Sequence, residues 1–369
     1  MKKLSIGNLH IAFPIIQGGM GVGISLSGLA SAVANQGGVG VISSAGLGLL
    51  YKKLSPDYLK ASILGLKEEL RLAREKSKKG VIGVNVMVAM SNYADMVRTS
   101  VKEKADIIFS GAGLPLDLPS FLEKDSKTKL VPIVSSGRAA RIIIEKWKSG
   151  FDYVPDAIVV EGPKAGGHLG FKAEQIFDEE YAIEKLIPQV VEVVREYETR
   201  YNRAIPVIAG GGIYTGEDMY NIMALGASGV QMGTRFVTTE ECDASAEFKQ
   251  AYINASEKDI EIIKSPVGMP GRAVFNSFLQ KVKDGKKIPL RCPFHCIKTC
   301  DVTHSPYCII SALYNAFKGR MNLGYAFCGS NAFRATKIEK VKDIFEEMKE
   351  KFLELEMSHL VKKPIILIG

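Results

Sequence analysis

The sequence predicts an α/β protein, a closed parallel (β/α)8 TIM barrel with a mostly helical cap unit inserted after the eighth strand. Three observations carry that reading. Eight short apolar runs recur between residues 14 and 234, most of them separated by helical patterns. The runs are continuous rather than alternating, as in strands buried on both faces. The 36 glycines cluster at the ends of these runs, where tight strand-to-loop junctions fall. About 235 residues suits one barrel; a doubly wound open sheet is the structural alternative.

In chain order, residues 14–20 form a first strand ending in glycines, and a small-residue helix over 25–35 follows. The second strand is 38–43, and a long charge-laced helix over 56–78 leads to the third, 81–88. A helix over 93–103 precedes the fourth strand, 105–110; the fifth, 129–135, is followed by a helix containing Trp147. The sixth strand is 157–160, and a helix around 180–200 precedes the seventh, 205–212. A helix over 216–225 leads to the eighth, 229–234. From about Glu240 the pattern changes to one that is helical in tendency and broken by the Pro-Gly segment 265–272. The expected units are therefore a ligand-binding barrel over 1–240, a cysteine-containing helical cap over 241–329, and a C-terminal unit over 330–369 whose helix packs back on the barrel.

Hydrophobic content of 46% and charged content of 24% are those of an ordinary globular protein. The net charge of +8 is mild, and its Lys and Arg are interleaved with acids on apparent helices, so it reads as solvated surface. No basic tract with interleaved aromatics argues for nucleic acid. Nothing resembles a signal peptide, and no run of about eighteen apolar residues suggests a membrane span. A cytoplasmic location is expected, with the six cysteines as thiols or ligands rather than a disulfide framework. The one macromolecular partner entertained is a second copy of the chain, as a homodimer.

The chemistry-bearing stretch is DAIVVEGPKAGGHLGF, 156–171. A buried strand ends at Glu161, and paired glycines then leave His168 on a loop at the strand's carboxyl end, where barrels keep their chemistry. Histidine is the side chain that titrates nearest neutrality, so it suits a general base. A lone loop histidine is usually incidental; the Gly-Gly context and the strand before it favour a site. AGGG at 209–212 and MGT at 232–234 end the seventh and eighth strands. In barrels those loops form a phosphate site, with backbone N–H groups at a helix start facing the anion and a hydroxyl, here Thr234, adding a bond. Gly18, Gly19 and Met20 offer backbone to lie against a flat ring. Asn85, polar within an apolar run, should point to the mouth, and Glu161 could accept from a ring N–H. No GxGxxG or Walker spacing is present.

PIIQGGM at 14–20, GVN at 83–85, EG at 161–162 with AGGH at 165–168, PVIAGGGI at 206–213 and GVQMGTRF at 229–236 together resemble the nitronate monooxygenases, formerly 2-nitropropane dioxygenases. The set is also similar to their relatives, the flavin-dependent enoyl-acyl-carrier-protein reductases. The resemblance spans residues 10–240 and implies a barrel that binds FMN without a covalent link. It assigns Gly211, Gly212, Gly233 and Thr234 to the phosphate, places Gly18, Gly19, Met20 and Asn85 beside the isoalloxazine, and makes His168 the catalytic histidine. Two positions depart from it: Glu161 stands where many nitronate monooxygenases carry Gln, an acid there being familiar among the enoyl reductases, and Lys164 stands where both often carry Glu. The implied reaction is oxidation of alkyl nitronates with O2. The alternatives are reduction of an enoyl thioester with NAD(P)H, and a non-redox barrel lyase or isomerase acting on a phosphorylated substrate.

Cys292, Cys296 and Cys300 recur every four residues, Cys308 follows, and His295 and His304 are interleaved. A helix would bring the first three to one face. Pro293 and Pro306 interrupt it, and the spacing matches neither a zinc ribbon nor a familiar iron–sulfur motif. Buried thiols in a helical cap, not counted as metal ligands, are the expectation, with a bound metal or cluster as the alternative.

Overall fold

A computed structural model describes residues 3–77, 79–286, 292 and 294–361. The expected helix end at Lys78, Pro293 in the cysteine segment and residues 362–369 of the C-terminal unit lie outside them.

Eight parallel strands close into a barrel: Ile15–Gln17, Val39–Ser43, Val81–Met87, Ile107–Gly111, Lys129–Val134, Ile158–Glu161, Val207–Gly210 and Gly229–Met232. Each pairs with its successor, and the eighth returns to the first through Val230 opposite Ile15 and Met232 opposite Gln17. Ile16, Val41, Phe109, Val131, Val159 and Ile208 pack together inside the barrel. The alternate residues, among them Ile15, Ile42, Ile108 and Val160, pack with the surrounding helices. Both faces of each strand are thus apolar, which is why the strands read as continuous hydrophobic runs.

Helices Ser27–Asn35, Tyr58–Lys76, Tyr93–Lys102, Gly137–Phe151, Ile183–Tyr201 and Gly216–Ala224 surround the barrel. Their starts are set locally: Asp57 accepts from the Lys60 N–H, Ser136 from that of Ala139, and Thr215 with Asp218 forms a reciprocal cap. The fourth crossover departs from eight full strand–helix units. It holds only a 3-10 turn, Leu118–Phe121, because Pro115 and Pro119 restrict the backbone and Pro119 lacks an N–H. Trp147 covers this crossover by donating its indole N–H to the Pro115 carbonyl at 2.8 Å.

Ahead of the barrel, Leu4–Ile6 and Leu9–Ile11 form an antiparallel hairpin turned at Gly7, φ +56°. Its Leu4, Ile6 and Ile11 join the interior cluster of the barrel, closing the end opposite the strands' carboxyl termini. After the eighth strand, helices Ala246–Ile253, Ser277–Lys283 and Ile309–Phe317 carry most of the regular residues up to 329. The segment also contains a hairpin that the sequence did not announce, Ile260–Lys264 paired antiparallel with Pro270–Val274. Cysteines 296 and 300 lie in irregular chain, not on a helix. Helix Val341–Val361 returns to the barrel exterior, where Phe345 packs on Phe13 and Phe236 and Phe352 meets Tyr220.

Candidate active site

The carboxyl ends of the strands and the segment after them surround a cavity of about 1160 Å³. That exceeds the ~300–1,000 Å³ of an ordinary single-ligand pocket, leaving room for a cofactor and a second molecule. Gly18, Gly19, Met20, Asn85 and Glu161 line it, and so do His168, Gly211, Gly212, Gly233 and Thr234. Every site residue singled out in the sequence therefore faces one space.

At the seventh strand's end Gly211 and Gly212 adopt φ of +98° and +85°, a region in which only glycine is unstrained. A Cβ at Gly211 would lie 2.9 Å from the Ala165 nitrogen and the Gly162 oxygen, so this turn is packed directly on the loop leading to His168. A Cβ at Gly212 would lie 3.0 Å from that of Lys164, whose stem crosses there. A second loop closes over these glycines: Asn331 Nδ2 donates to the Gly212 carbonyl at 2.7 Å, and the Gly329 N–H donates to Thr234 Oγ1 at 2.8 Å. Between them Ser330 has a buried hydroxyl without a partner among the described residues. The helix expected to begin at the eighth strand's end is a single turn, Thr234–Val237. Glycine geometry and hydroxyls, not a helix dipole, therefore define this end. The left-handed glycines, the unpartnered Ser330 hydroxyl and the still-available Thr234 O–H suit a phosphate.

Across the cavity a Cβ at Gly19 would fall 2.2 Å from that of Asn85, so only glycine leaves the Asn85 side chain its position. Ser44 fastens the Asn85 backbone by donating its hydroxyl to the carbonyl at 2.8 Å. Glu161 ends the sixth strand opposite Gly210. Its carboxyl has no hydrogen-bond partner among the described residues, and burial raises it to about 7.

Gly167 and His168 pair antiparallel with Arg272 and Gly271 of the hairpin, which fixes the histidine to the later segment. His168 Nε2 lies 2.7 Å from Ser265 Oγ, and the Phe327 ring meets the imidazole edge-on with centroids 5.0 Å apart. Burial lowers His168 to about 4, so the ring is neutral at pH 7. Buried Arg272 donates through Nη1 to the carbonyls of Pro163 and Ala165 at 2.6 and 2.7 Å, clamping the loop between Glu161 and His168. Ser265, Arg272 and the 329–331 loop were missed in the sequence as parts of the site. The Pro-Gly segment around the first two was the only local signal.

A closed barrel with a glycine-lined cavity at its strands' carboxyl ends defines an α/β-barrel enzyme. The nitronate monooxygenase profile matches residues 2–351, and the chain belongs to that family of flavin-using oxidoreductases. The probable nitronate monooxygenase of Staphylococcus aureus strain JH9 is 28% identical over 298 residues, 74% of this chain and 78% of that protein. FabK from Thermotoga maritima superimposes with a TM-score of 0.73 at 28% identity, covering 96% of each chain. The nitroalkane oxidase from Streptomyces ansochromogenes, with a TM-score of 0.70 and 20% identity over 95% of this chain and 98% of that one, shares the fold. Family membership sets aside the non-redox lyase or isomerase alternative. Among the described residues no helix is long and apolar enough to cross a membrane.

Proposed function

We propose that this chain binds FMN and oxidises alkyl nitronates with O2. The observation that supports this reading best is the convergence of Gly211, Gly212 and His168 on one cavity in a chain of the nitronate monooxygenase family. The flavin, when bound, supplies the redox chemistry, and the protein supplies position and proton handling. Gly211, Gly212, Gly233 and Thr234 hold the phosphate in this reading, joined by the free hydroxyl of Ser330. Gly18, Gly19, Met20 and Asn85 border the ring, and Glu161 accepts from a ring N–H when ionised. His168, neutral at pH 7, receives a proton from a neutral nitroalkane. In the tautomer whose Nε2–H donates to Ser265, Nδ1 keeps the lone pair that takes it. Residues 241–329 act as a cap over a barrel formed by 1–240, keeping water from the reacting carbon. Six unpaired cysteines suit a cytoplasmic location.

Glu161 and the likeness to FabK, an enoyl-acyl-carrier-protein reductase, favour a second reading, reduction of an enoyl thioester by NAD(P)H. One anaerobic titration separates the two. Propyl nitronate should bleach the yellow protein, and NADPH should not do so within turnover time. Rapid bleaching by NADPH with no response to propyl nitronate would replace the first reading by the second.

A further inference from the structure

Outside the barrel mouth, a second, small cavity of about 30 Å³ is bordered by Cys292, Cys296, Cys300 and Cys308, with His295 beside them. Four of the chain's six cysteines thus face one hole, and all four are free. The hole exceeds the ~10–15 Å³ that a single water needs, yet its remaining walls are Ile297, Val302 and Ile309. Neutral thiols around such a space would lose dispersion contacts on one side and gain no strong hydrogen bond in return.

The backbone that carries these thiols is irregular. From 294 to 308 it forms no helix and no strand beyond one bridge, Ile297 opposite Met90. Flanking that bridge, the Ser91 N–H donates to the Cys296 carbonyl at 3.1 Å and the Lys298 N–H to the Ala89 carbonyl at 2.9 Å. These bonds tie the segment to the loop after the third barrel strand, which fixes where Cys296 stands. Cys308 is placed independently, as the residue that begins helix Ile309–Phe317. An irregular stretch of this length is ordered when a central group cross-links it, as metal centres do.

We propose that Cys292, Cys296, Cys300 and Cys308 ligate a [4Fe–4S] cluster, one thiolate to each iron. A single zinc ion fits the arrangement less well. Zn–S bonds of about 2.3 Å in a tetrahedron draw the sulfurs to within about 3.8 Å of one another, and among the described residues no three His, Cys, Asp or Glu side chains are gathered as a metal ion would require. A four-iron cluster takes its four cysteines one to an iron, at a wider spread. Its wall toward the barrel mouth is one residue thick, because Cys296, Ile297 and Ile309 line both cavities. The site is nevertheless separate from the glycine cradle, so its content can be measured whatever the flavin reaction is.

The test is the full-length protein purified without oxygen, before and after reconstitution with ferrous iron and sulfide. About four irons and four acid-labile sulfides per chain are expected, with a fast-relaxing paramagnetic signal after dithionite reduction that is seen only at cryogenic temperature, unlike a flavin radical. Cys296→Ser and Cys308→Ser should each lose at least half of the iron. Cys242→Ser, in the buried cysteine bonded to the Ile24 carbonyl, should keep it. One zinc per chain without iron would overturn the cluster. So would wild-type protein with normal flavin content that takes up neither metal after reconstitution, an outcome that needs no variant to fold.

Discussion

Glu161 and His168 stand at the two ends of one loop and are shifted in opposite directions by the same cause. Burial makes the imidazole hard to protonate and the carboxyl hard to ionise. The base form of His168 is therefore present above pH 5 and lost only as pH falls through about 4, not near the usual 6.5. Glu161 changes charge near 7. We predict that kcat/KM for a neutral nitroalkane shows an inflection near pH 7 that Glu161→Gln abolishes, and that the variant's remaining profile stays flat down to about pH 5. The same shifts act on folding of the flavin-free protein. Because its pKa is raised on folding, Glu161 contributes stability at acid pH that is lost as pH rises through about 7. His168, whose value is lowered, contributes stability at neutral pH that is lost between about 6.5 and 4. Thermal melts of wild type and Glu161→Gln across that range will separate the two. His168→Asn should retain flavin yet slow neutral nitroalkane by at least roughly 100-fold, the worth of a positioned base. The already ionised nitronate should lose less, and equal loss on both substrates would remove His168 from the proton transfer. Ser265→Ala should cost about tenfold on the neutral substrate, near the worth of one hydrogen bond. His168 was legible because a strand and two glycines precede it. Its partner was not, for a bond spanning 97 residues leaves no local pattern.

At the scale of elements, what the sequence revealed follows from the length of each signal. Barrel strands buried on both faces give unbroken apolar runs, and the helices between them carry caps such as Asp57 and Thr215. Strands Ile260–Lys264 and Pro270–Val274 span five residues each, a length at which a short apolar run does not distinguish strand from helix. Three-residue strands such as Leu4–Ile6 are shorter still. The glycine turn after the seventh strand was legible as a site because its position among eight strands could be counted. Its packing on the 162–165 loop could not be. We predict that Gly211→Ala, which puts a Cβ against backbone at φ +98°, costs about 1–3 kcal/mol of strain and weakens FMN binding at least tenfold by fluorescence titration. Arg272→Met strands the Pro163 and Ala165 carbonyls at about 1–3 kcal/mol each. Urea unfolding should show the loss, with partial recovery in Arg272→Lys.

Across the whole molecule, the hairpin ahead of the first strand stoppers one end of the barrel, and the segment after the eighth strand roofs the other. That roof supplies the hydrogen-bond partner of the histidine through Ser265 and the clamp of its loop through Arg272. It is not an accessory that could be exchanged on an unchanged barrel. A chimera whose replacement roof lacked Ser265 and Arg272 would carry a histidine without its partner and a loop without its tether, even if both halves folded. Divergence of substrate range in such a chain has to proceed by matched changes in two lengths of sequence about a hundred residues apart, which makes the roof and the histidine loop a single heritable unit.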